Sequence, residues 1–303
     1  MLGGSGFIGS HVVDQLLEDG HDVSVLDRAP EYYREPVPEV RYYFGDFLDE
    51  QLLEKSLVDI DKVVHLISTT TPGTAAKDPV FDVQSNLVGT LQLIQIMLRN
   101  GQKDILYLSS GGTVYGNPEF LPVSEAHPIR PICTYGVVKA AAENYLRLYQ
   151  HLDGLRPLIL RVSNPYGPRQ GHIGVQGAIG TFLQRLKAGE GIEVWGDGSI
   201  ERDFIYIEDL ANLCVRAVNS DLTGTYNAGS GRATSINVIL EQLELMLGRK
   251  IEVRYKETRK FDVQSVFLDC SKVKQELQFS PQTELLEGLQ KTWDWFLSLK
   301  KPP

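Results

Sequence analysis

The stretch Gly3-Gly4-Ser5-Gly6-Phe7-Ile8-Gly9 leads directly into a helical pattern. Glycines at this spacing let the backbone turn tightly and approach a pyrophosphate without a Cβ, while the helix that follows presents free N–H groups to the phosphates. Ile8, Val12 and Leu16 recur at helical spacing, and Gly20 marks the expected helix end. The segment therefore predicts a dinucleotide-binding turn between a strand and a helix.

Apolar segments typical of strands alternate with helical patterns through the first half of the chain. The expected strands are residues 22–27, 61–67, 104–110 and 157–163, with a further buried strand at Tyr42-Tyr43-Phe44. Residues 86–99 and 135–150 are expected helices, and another begins at a Ser235 cap and closes near Gly248. This alternation predicts βαβ units, and hence an α/β fold with a doubly wound parallel (Rossmann) sheet.

The sequence pattern changes after residue 164, where Gly/Pro-rich loops separate short predicted strands and helices. This change predicts a smaller α/β substrate-binding lobe packed on the Rossmann domain. We assign residues 1–164 and roughly 204–231 to the Rossmann domain, and residues 165–203 and 232–303 to the second lobe.

The glycine turn is preceded by Met1 and Leu2 alone. Two residues cannot make the usual strand of about five. We therefore expect either that the native first strand is missing from this sequence or that the central sheet has an unfilled position.

Composition narrows the class of protein. The chain has 303 residues, of which 42% are hydrophobic and 23% charged, and this excludes disordered and fibrous proteins. Its net charge of -9 argues against a nucleic-acid or anionic-membrane partner, and no apolar run approaches the ~18 residues of a membrane span. Cys133, Cys214 and Cys270 are too few and too scattered for a disulfide scaffold or a metal site. We expect a cytoplasmic protein without a bound metal.

Asp27 ends the strand that follows the first helix, where a carboxylate would bind ribose hydroxyls. Because that carboxylate would repel a 2′-phosphate, NAD is favoured over NADP, although Arg28 next to it weakens the preference. Asp46 follows Gly45 at the end of the next expected strand. It is either an adenine ligand or an ordinary turn carboxylate.

Tyr135 and Lys139 place a phenol and an ammonium four residues apart on one helix face. They follow Ser109-Ser110-Gly111-Gly112-Thr113, where a predicted strand ends, and the carboxyl ends of parallel strands are where such sheets bind ligands. At an effective dielectric constant near 20, a cation about 4 Å away favours the phenolate by ~4 kcal/mol, or ~3 pKa units. We therefore predict that Lys139 lowers the pKa of Tyr135 and that Tyr135 is a general acid/base.

Further motifs follow these in order: Asn86-Leu87-Val88-Gly89-Thr90, Thr113-Val114-Tyr115-Gly116, Asn164-Pro165-Tyr166-Gly167-Pro168-Arg169-Gln170, and Gly196-Asp197-Gly198 with Arg202-Asp203-Phe204. Together the motifs resemble the extended short-chain dehydrogenase/reductases of the NAD-dependent epimerase/dehydratase family. The resemblance is greatest to UDP-glucose (UDP-N-acetylglucosamine) 4-epimerases and covers the chain from the glycine turn onward. It implies NAD-dependent 4-epimerisation of a UDP-hexose.

The resemblance also implies roles for individual residues in binding the cofactor. Tyr135 would exchange the proton of the sugar 4-hydroxyl, and Lys139 would hold the nicotinamide ribose. The expected cofactor-binding residues are Gly3, Gly6, Phe7, Ile8, Gly9, Asp27, Asp46, Phe47, Asn86, Tyr135 and Lys139.

For the substrate, the resemblance implies that Asn164 and Arg202 hold the diphosphate and that Trp195 packs on the base. Arg259 and Asp262 would hold a phosphate and the uridine ribose. Val266 would lie in the sugar pocket, where relatives of narrow specificity place a bulky aromatic residue. A side chain as small as valine should admit a 2-acetamido group, so that UDP-GlcNAc and UDP-GalNAc are accepted beside UDP-glucose and UDP-galactose.

One position departs from the family pattern. The family places a catalytic Ser or Thr at the position of Gly111, so the second hydroxyl must come from Ser110 or Thr113, or from water; we favour Thr113. The same segment lacks the Asp-Glu pair with which sugar 4,6-dehydratases carry out elimination. A dehydratase, a 4-ketosugar reductase and a non-catalytic nucleotide-binding homologue remain the alternatives.

Two helices carry apolar residues that would face either a partner chain or the interior of the monomer. In this family such helices pair into a four-helix dimer interface, so we expect a homodimer. The residues are Leu91, Ile94, Met97 and Leu98, with Val138, Ala142, Tyr145 and Tyr149.

Overall fold

The computed structural model describes residues 1–170, 177–257 and 263–299. Its α-helices are α1 (Phe7–Glu18), α2 (Glu50–Ser56), α3 (Pro72–Ala75), α4 (Pro79–Asp82), α5 (Gly89–Arg99), α6 (Thr134–Asp153), α7 (Ala178–Lys187), α8 (Ile207–Asn219), α9 (Ile236–Leu247), α10 (Ser271–Glu276) and α11 (Leu285–Ser298). A π-helical turn, Val83–Val88, joins α4 to α5.

The strands are short, as expected for a doubly wound fold. They are β1 (Ser24–Asp27), β2 (Arg41–Phe44), β3 (Lys62–His65), β4 (Asp104–Ser110), β5 (Arg156–Val162), β6 (Asn164–Tyr166), β7 (Ile192–Trp195), β8 (Glu201–Arg202), β9 (Phe204–Tyr206), β10 (Gly224–Ala228), β11 (Thr234–Ser235), β12 (Val253–Lys256) and β13 (Ser265–Val266).

The central sheet is parallel throughout. Strands β10, β5, β4 and β3 lie side by side in that order, and β1 pairs with β2. Leu2 joins the two groups, because its N–H donates to Val64 O at 2.8 Å and its carbonyl accepts from Leu66 N at 2.9 Å. On the other side, Gly3 N donates to Leu26 O at 2.9 Å. The predicted Rossmann sheet is therefore confirmed. No regular strand precedes the glycine turn among the described residues, as the sequence led us to expect, but the position between β1 and β3 is not empty, because Met1, Leu2 and Gly3 hydrogen-bond to these two neighbours.

The predicted elements match the observed ones closely, with one exception in burial. The α9 helix begins at a Ser235 cap whose hydroxyl accepts from Val238 N and ends at Gly248 in the left-handed region. The strand at Tyr42-Tyr43-Phe44 is present, but it is not buried, and Phe44 is 43% exposed. The reason is that β2 pairs with β1 alone among the described strands, so it is an edge strand.

The second half of the chain adds small sheets to this framework. They are β6–β9 and β7–β12, both parallel, and the three-stranded β11–β8–β13. A continuous apolar cluster extends from Leu160 in the central sheet through Tyr166 to Val194 and Leu243. The division of the chain into two lobes remains a prediction. Within the described ranges, no helix combines the length and apolar character needed to cross a bilayer.

Part of the predicted partner-helix surface lies inside the monomer. Ile94, Met97 and Ala142 are fully buried within the apolar core, and Val138 is 4% exposed. Tyr145, also of α6, is exposed. For these four buried residues the alternative, burial within the chain, is therefore the correct one.

A buried ion pair connects α6 to β5 in the central sheet. Arg161 of β5 is 2% exposed and Glu143 of α6 is 0% exposed. The Arg161 Nη2 donates to Glu143 Oε2 at 2.6 Å, and the Arg161 Nη1 donates to the Tyr115 hydroxyl at 3.0 Å. Ser109 Oγ donates to Glu143 Oε1 at 2.5 Å. Every charge in the cluster is thus satisfied without water.

Replacing Arg161 by Met should strongly destabilise the fold, because Glu143 would keep a buried charge without its main partner. Losing one member of a buried pair costs about 3–5 kcal/mol of unfolding free energy. Arg99→Met is the matched control, since Arg99 pairs with Glu50 and Glu54 at the surface. Urea unfolding measures both. Equal effects for the two variants would contradict the account.

Candidate active site

The glycine turn leads into the first turn of α1 and packs closely against it. Gly3 has a φ of +84°, in the region that favours glycine, and a Cβ on Gly9 would lie 2.0 Å from Gly3 O. A Cβ on Gly6, by contrast, would have only Gly3 O nearby, at 3.5 Å, so a ligand can approach the backbone on that side. Gly6 caps α1 without a side-chain hydrogen bond, which leaves the N–H groups of the first turn, at Phe7 and Ile8, available to an anion.

Asp27 lies against this turn. Its Oδ2 accepts from Ser5 N at 2.9 Å and its Oδ1 from Arg28 N at 2.7 Å. Burial raises the pKa of Asp27, and the backbone donors partly offset that rise. An uncapped helix N-terminus beside a carboxylate at the end of β1 fits a dinucleotide with free ribose hydroxyls. The residues present therefore fit NAD.

Two further residues predicted to bind the cofactor, Asp46 and Phe47, make contacts within the chain. Asp46 accepts from the Arg28 guanidinium at 3.1 Å and from Leu48 N at 2.9 Å, as a turn carboxylate does. The ring of Phe47 is buried and fills the space beside Gly89, where a Cβ would lie 2.6 Å from it. The side chain of Phe47 therefore belongs to the core, which its position after Asp46 in the sequence did not reveal.

Tyr135 and Lys139 lie near the start of α6, which packs closely on the segment after β4. A Cβ on Gly136 would lie 2.6 Å from Thr113 O, so this glycine permits the close approach. Lys139 is 4% exposed, and its Nζ donates to Leu108 O at 2.8 Å. The same Nζ lies 5.8 Å from the centre of the Tyr135 ring. Burial lowers the pKa of Lys139 to about 8.

The predicted direction of the Tyr135 pKa is wrong. Burial raises the pKa of Tyr135 above its usual value, and a hydrogen bond with Ser68 only partly offsets the rise. Two physical facts explain the difference. Desolvation disfavours a phenolate and is the largest effect on Tyr135, and the Lys139 ammonium donates its hydrogen bond to the carbonyl of Leu108.

Three hydroxyls compete for the place of the family Ser or Thr. Thr113 Oγ1 is buried and has no hydrogen-bond partner among the described atoms, and Ser110 ends β4 in a partly buried position. Ser68, which sequence reasoning missed, is the one that hydrogen-bonds with the Tyr135 phenol. It follows β3 in the hydroxyl run Ser68-Thr69-Thr70-Thr71. The strand-end argument that selected Ser110 applies equally to Ser68.

Gly111 is a packing position. A Cβ at Gly111 would lie 2.7 Å from Leu268 Cδ1 and 3.0 Å from Arg161 O. Leu268 is itself buried. The side chain of Leu268 thus fills the space into which the family serine or threonine would project.

A cavity of about 360 Å³ brings together three of the predicted substrate residues, Asn164, Trp195 and Arg202. Asn164 Nδ2 donates to Asp203 O at 2.8 Å, and Arg202 Nη1 donates to Val263 O at 2.7 Å. Aromatic side chains form much of the remaining wall, namely Tyr166, Phe182 and Phe204. An aromatic wall with a guanidinium and an amide suits a flat base attached to an anionic group.

The other predicted substrate residues are placed differently. Val266 is 5% exposed, pairs with Arg202 across β13 and β8, and does not line this cavity. Arg259 and Asp262 lie outside the described residues.

Gly111→Ser should destabilise the protein, because the new side chain would overlap Leu268; overpacking of this kind costs about 1–3 kcal/mol. Leu268→Ala should relieve the overlap. In a double-mutant cycle followed by urea unfolding, we expect the double variant to be more stable than the sum of the single effects by about 0.5–3 kcal/mol. Additive effects would mean that Leu268 does not occupy that space.

The chain is similar in sequence and structure to known proteins. Residues 1–229 match the NAD dependent epimerase/dehydratase family. A putative UDP-glucose 4-epimerase of Methanocaldococcus jannaschii is 35% identical over 97% of this chain and 97% of its own. The structure of a UDP-glucose 4-epimerase of Thermotoga maritima with UDP-glucose has a TM-score of 0.90 at 34% identity, covering 98% of this chain and 97% of that one.

A third similar protein is a UDP-N-acetylglucosamine 4-epimerase of Methanobrevibacter ruminantium, solved in complex with UDP-N-acetylmuramic acid. Its TM-score is 0.92 at 30% identity, covering 98% of this chain and 97% of that one. The family match covers more than half of the chain, and the similarity of sequence and structure extends over nearly all of it. The chain therefore belongs to the NAD-dependent epimerase/dehydratase family.

Proposed function

We propose that the protein is a redox-neutral 4-epimerase of a UDP-hexose that holds NAD at the glycine turn. One observation carries the proposal. The Tyr135–Lys139 pair lies beside a segment, Gly111-Gly112-Thr113, that offers no carboxylate for elimination. An acid/base without an eliminating partner suits proton exchange at a hydroxyl and opposes loss of water.

The cofactor would be held by groups already described. The first turn of α1 would bind its pyrophosphate, Asp27 its adenosine ribose and Lys139 its nicotinamide ribose. When bound, NAD supplies a reversible hydride acceptor for carbon 4 of the sugar.

Tyr135 would move the proton. Its phenolate accepts the proton of the sugar 4-hydroxyl as carbon 4 is oxidised, and its phenol returns a proton to the same oxygen when carbon 4 is reduced on the opposite face. Since burial raises the pKa of Tyr135, the base form is scarce at low pH, and turnover should rise with pH until Lys139 loses its charge.

Inversion requires the sugar to present both faces in turn. The cavity of Asn164, Trp195 and Arg202 would hold the nucleotide firmly while the hexose rotates on its diphosphate tether. The small side chain of Val266, at the position that the family resemblance places in the sugar pocket, is the reason to expect that a 2-acetamido group is accepted. We therefore propose UDP-GlcNAc and UDP-GalNAc as substrates beside UDP-glucose and UDP-galactose.

The alternatives make different products. A 4,6-dehydratase would release water and leave a lasting 4-keto sugar, and a 4-ketosugar reductase would consume reduced cofactor in stoichiometric amounts. A non-catalytic homologue would bind a UDP-sugar without converting it.

Tyr135→Phe tests the proposal directly. Removing the acid/base should lower kcat by about 10²–10⁴-fold while UDP-sugar binding persists. Tyr255→Phe, at an exposed tyrosine of β12, is the control and should leave kcat unchanged. Proton NMR of the anomeric region, with UDP-glucose and UDP-GlcNAc in separate samples, follows conversion. If the wild-type protein plus NAD converts neither sugar, the proposal fails.

We also propose a homodimer formed through an exposed apolar stripe on α6. Its members, spaced to lie on one face, are Val137 (51% exposed), Tyr145 (38%), Leu148 (45%) and Leu152 (63%). Val83 and Val88 of the π-helical turn are also exposed, and this turn packs against α6. A continuous apolar surface of this kind is typical of a helix-pairing interface.

Leu148→Glu should convert the dimer to a monomer, because a charge would be buried at the interface. Leu245→Glu, at an exposed leucine of α9, is the control and should leave the assembly intact. Sedimentation equilibrium distinguishes the two states. A dimer that survives Leu148→Glu would place the interface elsewhere.

A further inference from the structure

Asp82, the last residue of α4, is a buried carboxylate with an unusual set of partners. It is 0% exposed. Its Oδ1 accepts from Thr70 Oγ1 at 2.6 Å and from Asn86 Nδ2 at 2.8 Å. Its Oδ2 is also buried and has no hydrogen-bond partner in the described part of the chain. Burying a charge is costly unless it is paired, so the position of this carboxylate needs a physical reason.

The hydrogen bonds of Asp82 order the loop after β3. Asn86 Oδ1 accepts from Thr69 N at 2.9 Å, and Asn86 Nδ2 also donates to Thr70 Oγ1 at 3.1 Å. Ser68 Oγ donates to Thr70 O at 3.0 Å. Because Ser68 hydrogen-bonds with the Tyr135 phenol, the loop held by Asp82 is the loop that contacts the acid/base.

The charge of Asp82 acts on both members of the catalytic pair. The α4 helix and the π-helical turn pack against α6, which carries Tyr135 and Lys139. The Asp82 carboxylate is the foremost charge that raises the pKa of Lys139, and it also raises the pKa of Tyr135.

The other titratable groups around the pair cannot replace this charge. Glu143 of α6 is committed to Arg161. His65 of β3 is kept neutral by burial, which lowers its pKa to about 3. Tyr107 of β4 is also buried, and burial raises its pKa well above the usual value. Cys133 precedes α6 and adds only a weak effect on Tyr135.

We propose that Asp82 is a positioning residue of the catalytic centre. Its Oδ1 holds the Ser68–Thr70 loop against Tyr135, and its unpaired Oδ2 places a fixed negative charge near the buried Lys139 ammonium. This inference rests on the proposed function, in which Tyr135 and Lys139 carry the proton chemistry. The carboxylate thus keeps Lys139 charged at the cost of a weaker Tyr135 acid.

The sign of the effect follows from electrostatics. A negative charge favours the protonated form of any neighbour, so removing it should lower the pKa of both Tyr135 and Lys139. The acidic limb of the kcat/KM profile requires the Tyr135 phenolate, and the alkaline limb requires the Lys139 ammonium. Both limbs should therefore move to lower pH together.

Asp82→Asn tests the charge alone. The amide oxygen can keep both hydrogen bonds of Oδ1, and the amide nitrogen takes the place of Oδ2, which makes none. Asp78→Asn is the matched control, because Asp78 is exposed and caps α4 through Phe81 N at 3.0 Å. Asp82→Ser provides a second neutral variant in case the asparagine disturbs folding, which the thermal unfolding midpoint reports.

Two readouts separate the possible outcomes. The first is the pH profile of UDP-glucose epimerisation, where the ratio of kcat/KM at about pH 6 to that at about pH 9 should rise severalfold in Asp82→Asn. The second is the phenolate absorbance of Tyr135, obtained at each pH by subtracting the matching Tyr135→Phe variant. Tyr135 should titrate at lower pH in Asp82→Asn than in the wild-type protein or Asp78→Asn.

The absorbance titration needs no substrate, so it tests Asp82 even if the protein epimerises nothing. An unmoved Tyr135 titration in both neutral variants would overturn the inference. A lower kcat with unmoved pH limbs would do the same, because it would show a structural role only. Failure of the wild-type protein to convert a UDP-hexose would instead overturn the proposed function.

Discussion

The buried ion pair between Arg161 and Glu143 determines where α6 lies on the central sheet. Glu143 is four residues after Lys139 and eight after Tyr135, so the three side chains share one helix face. Fixing Glu143 to β5 therefore sets the rotation of the helix and directs Tyr135 and Lys139, the proposed catalytic pair, toward the carboxyl ends of the strands. Arg161 also donates to the Tyr115 hydroxyl, which donates to Asn227 Oδ1 at 2.6 Å. Asn227 Nδ2 in turn donates to Val123 O and Asp269 O, which extends the network into the second half of the chain.

Desolvation dominates the electrostatics of the site. It lowers the pKa of Lys139, raises that of Tyr135 and keeps His65 neutral. Each of these effects opposes the charge separation that proton transfer needs. Against this background, the hydrogen bond between Ser68 and the phenol partly offsets the rise in the Tyr135 pKa, and the carboxylate of Asp82 partly offsets the fall in the Lys139 pKa. Packing determines the residue at position 111, because Leu268 fills the space that the Ser or Thr of other family members would occupy.

Local sequence patterns predicted the parts of the fold that depend on local chemistry. The glycine turn, the strand that ends at Asp27 and the Ser235 cap of α9 follow from short motifs, and the structure confirms them. The features that were missed depend on tertiary contacts. Leu268 lies far along the chain from Gly111, and Phe44 is exposed because of the place of its strand in the sheet.

The burial of Asp82 and the raised pKa of Tyr135 also depend on tertiary contacts and could not be predicted from local sequence. A carboxylate near the end of a short helix is usually solvated, and its burial follows only from how α4 packs against α6. The pKa of Tyr135 was predicted from a single neighbouring cation, without the desolvation that proved larger. The hydroxyl run after β3 was visible in the sequence, and the strand-end argument could have found Ser68.

In the proposed reaction, carbon 4 of the sugar is oxidised and reduced again within one turnover. The most direct measurement uses UDP-glucose deuterated at carbon 4, with the product analysed by NMR and mass spectrometry. We expect UDP-galactose that retains the deuterium at carbon 4 and gains no protium there from water. Loss of the deuterium to solvent, or accumulation of a 4-keto sugar, would contradict the proposed reaction.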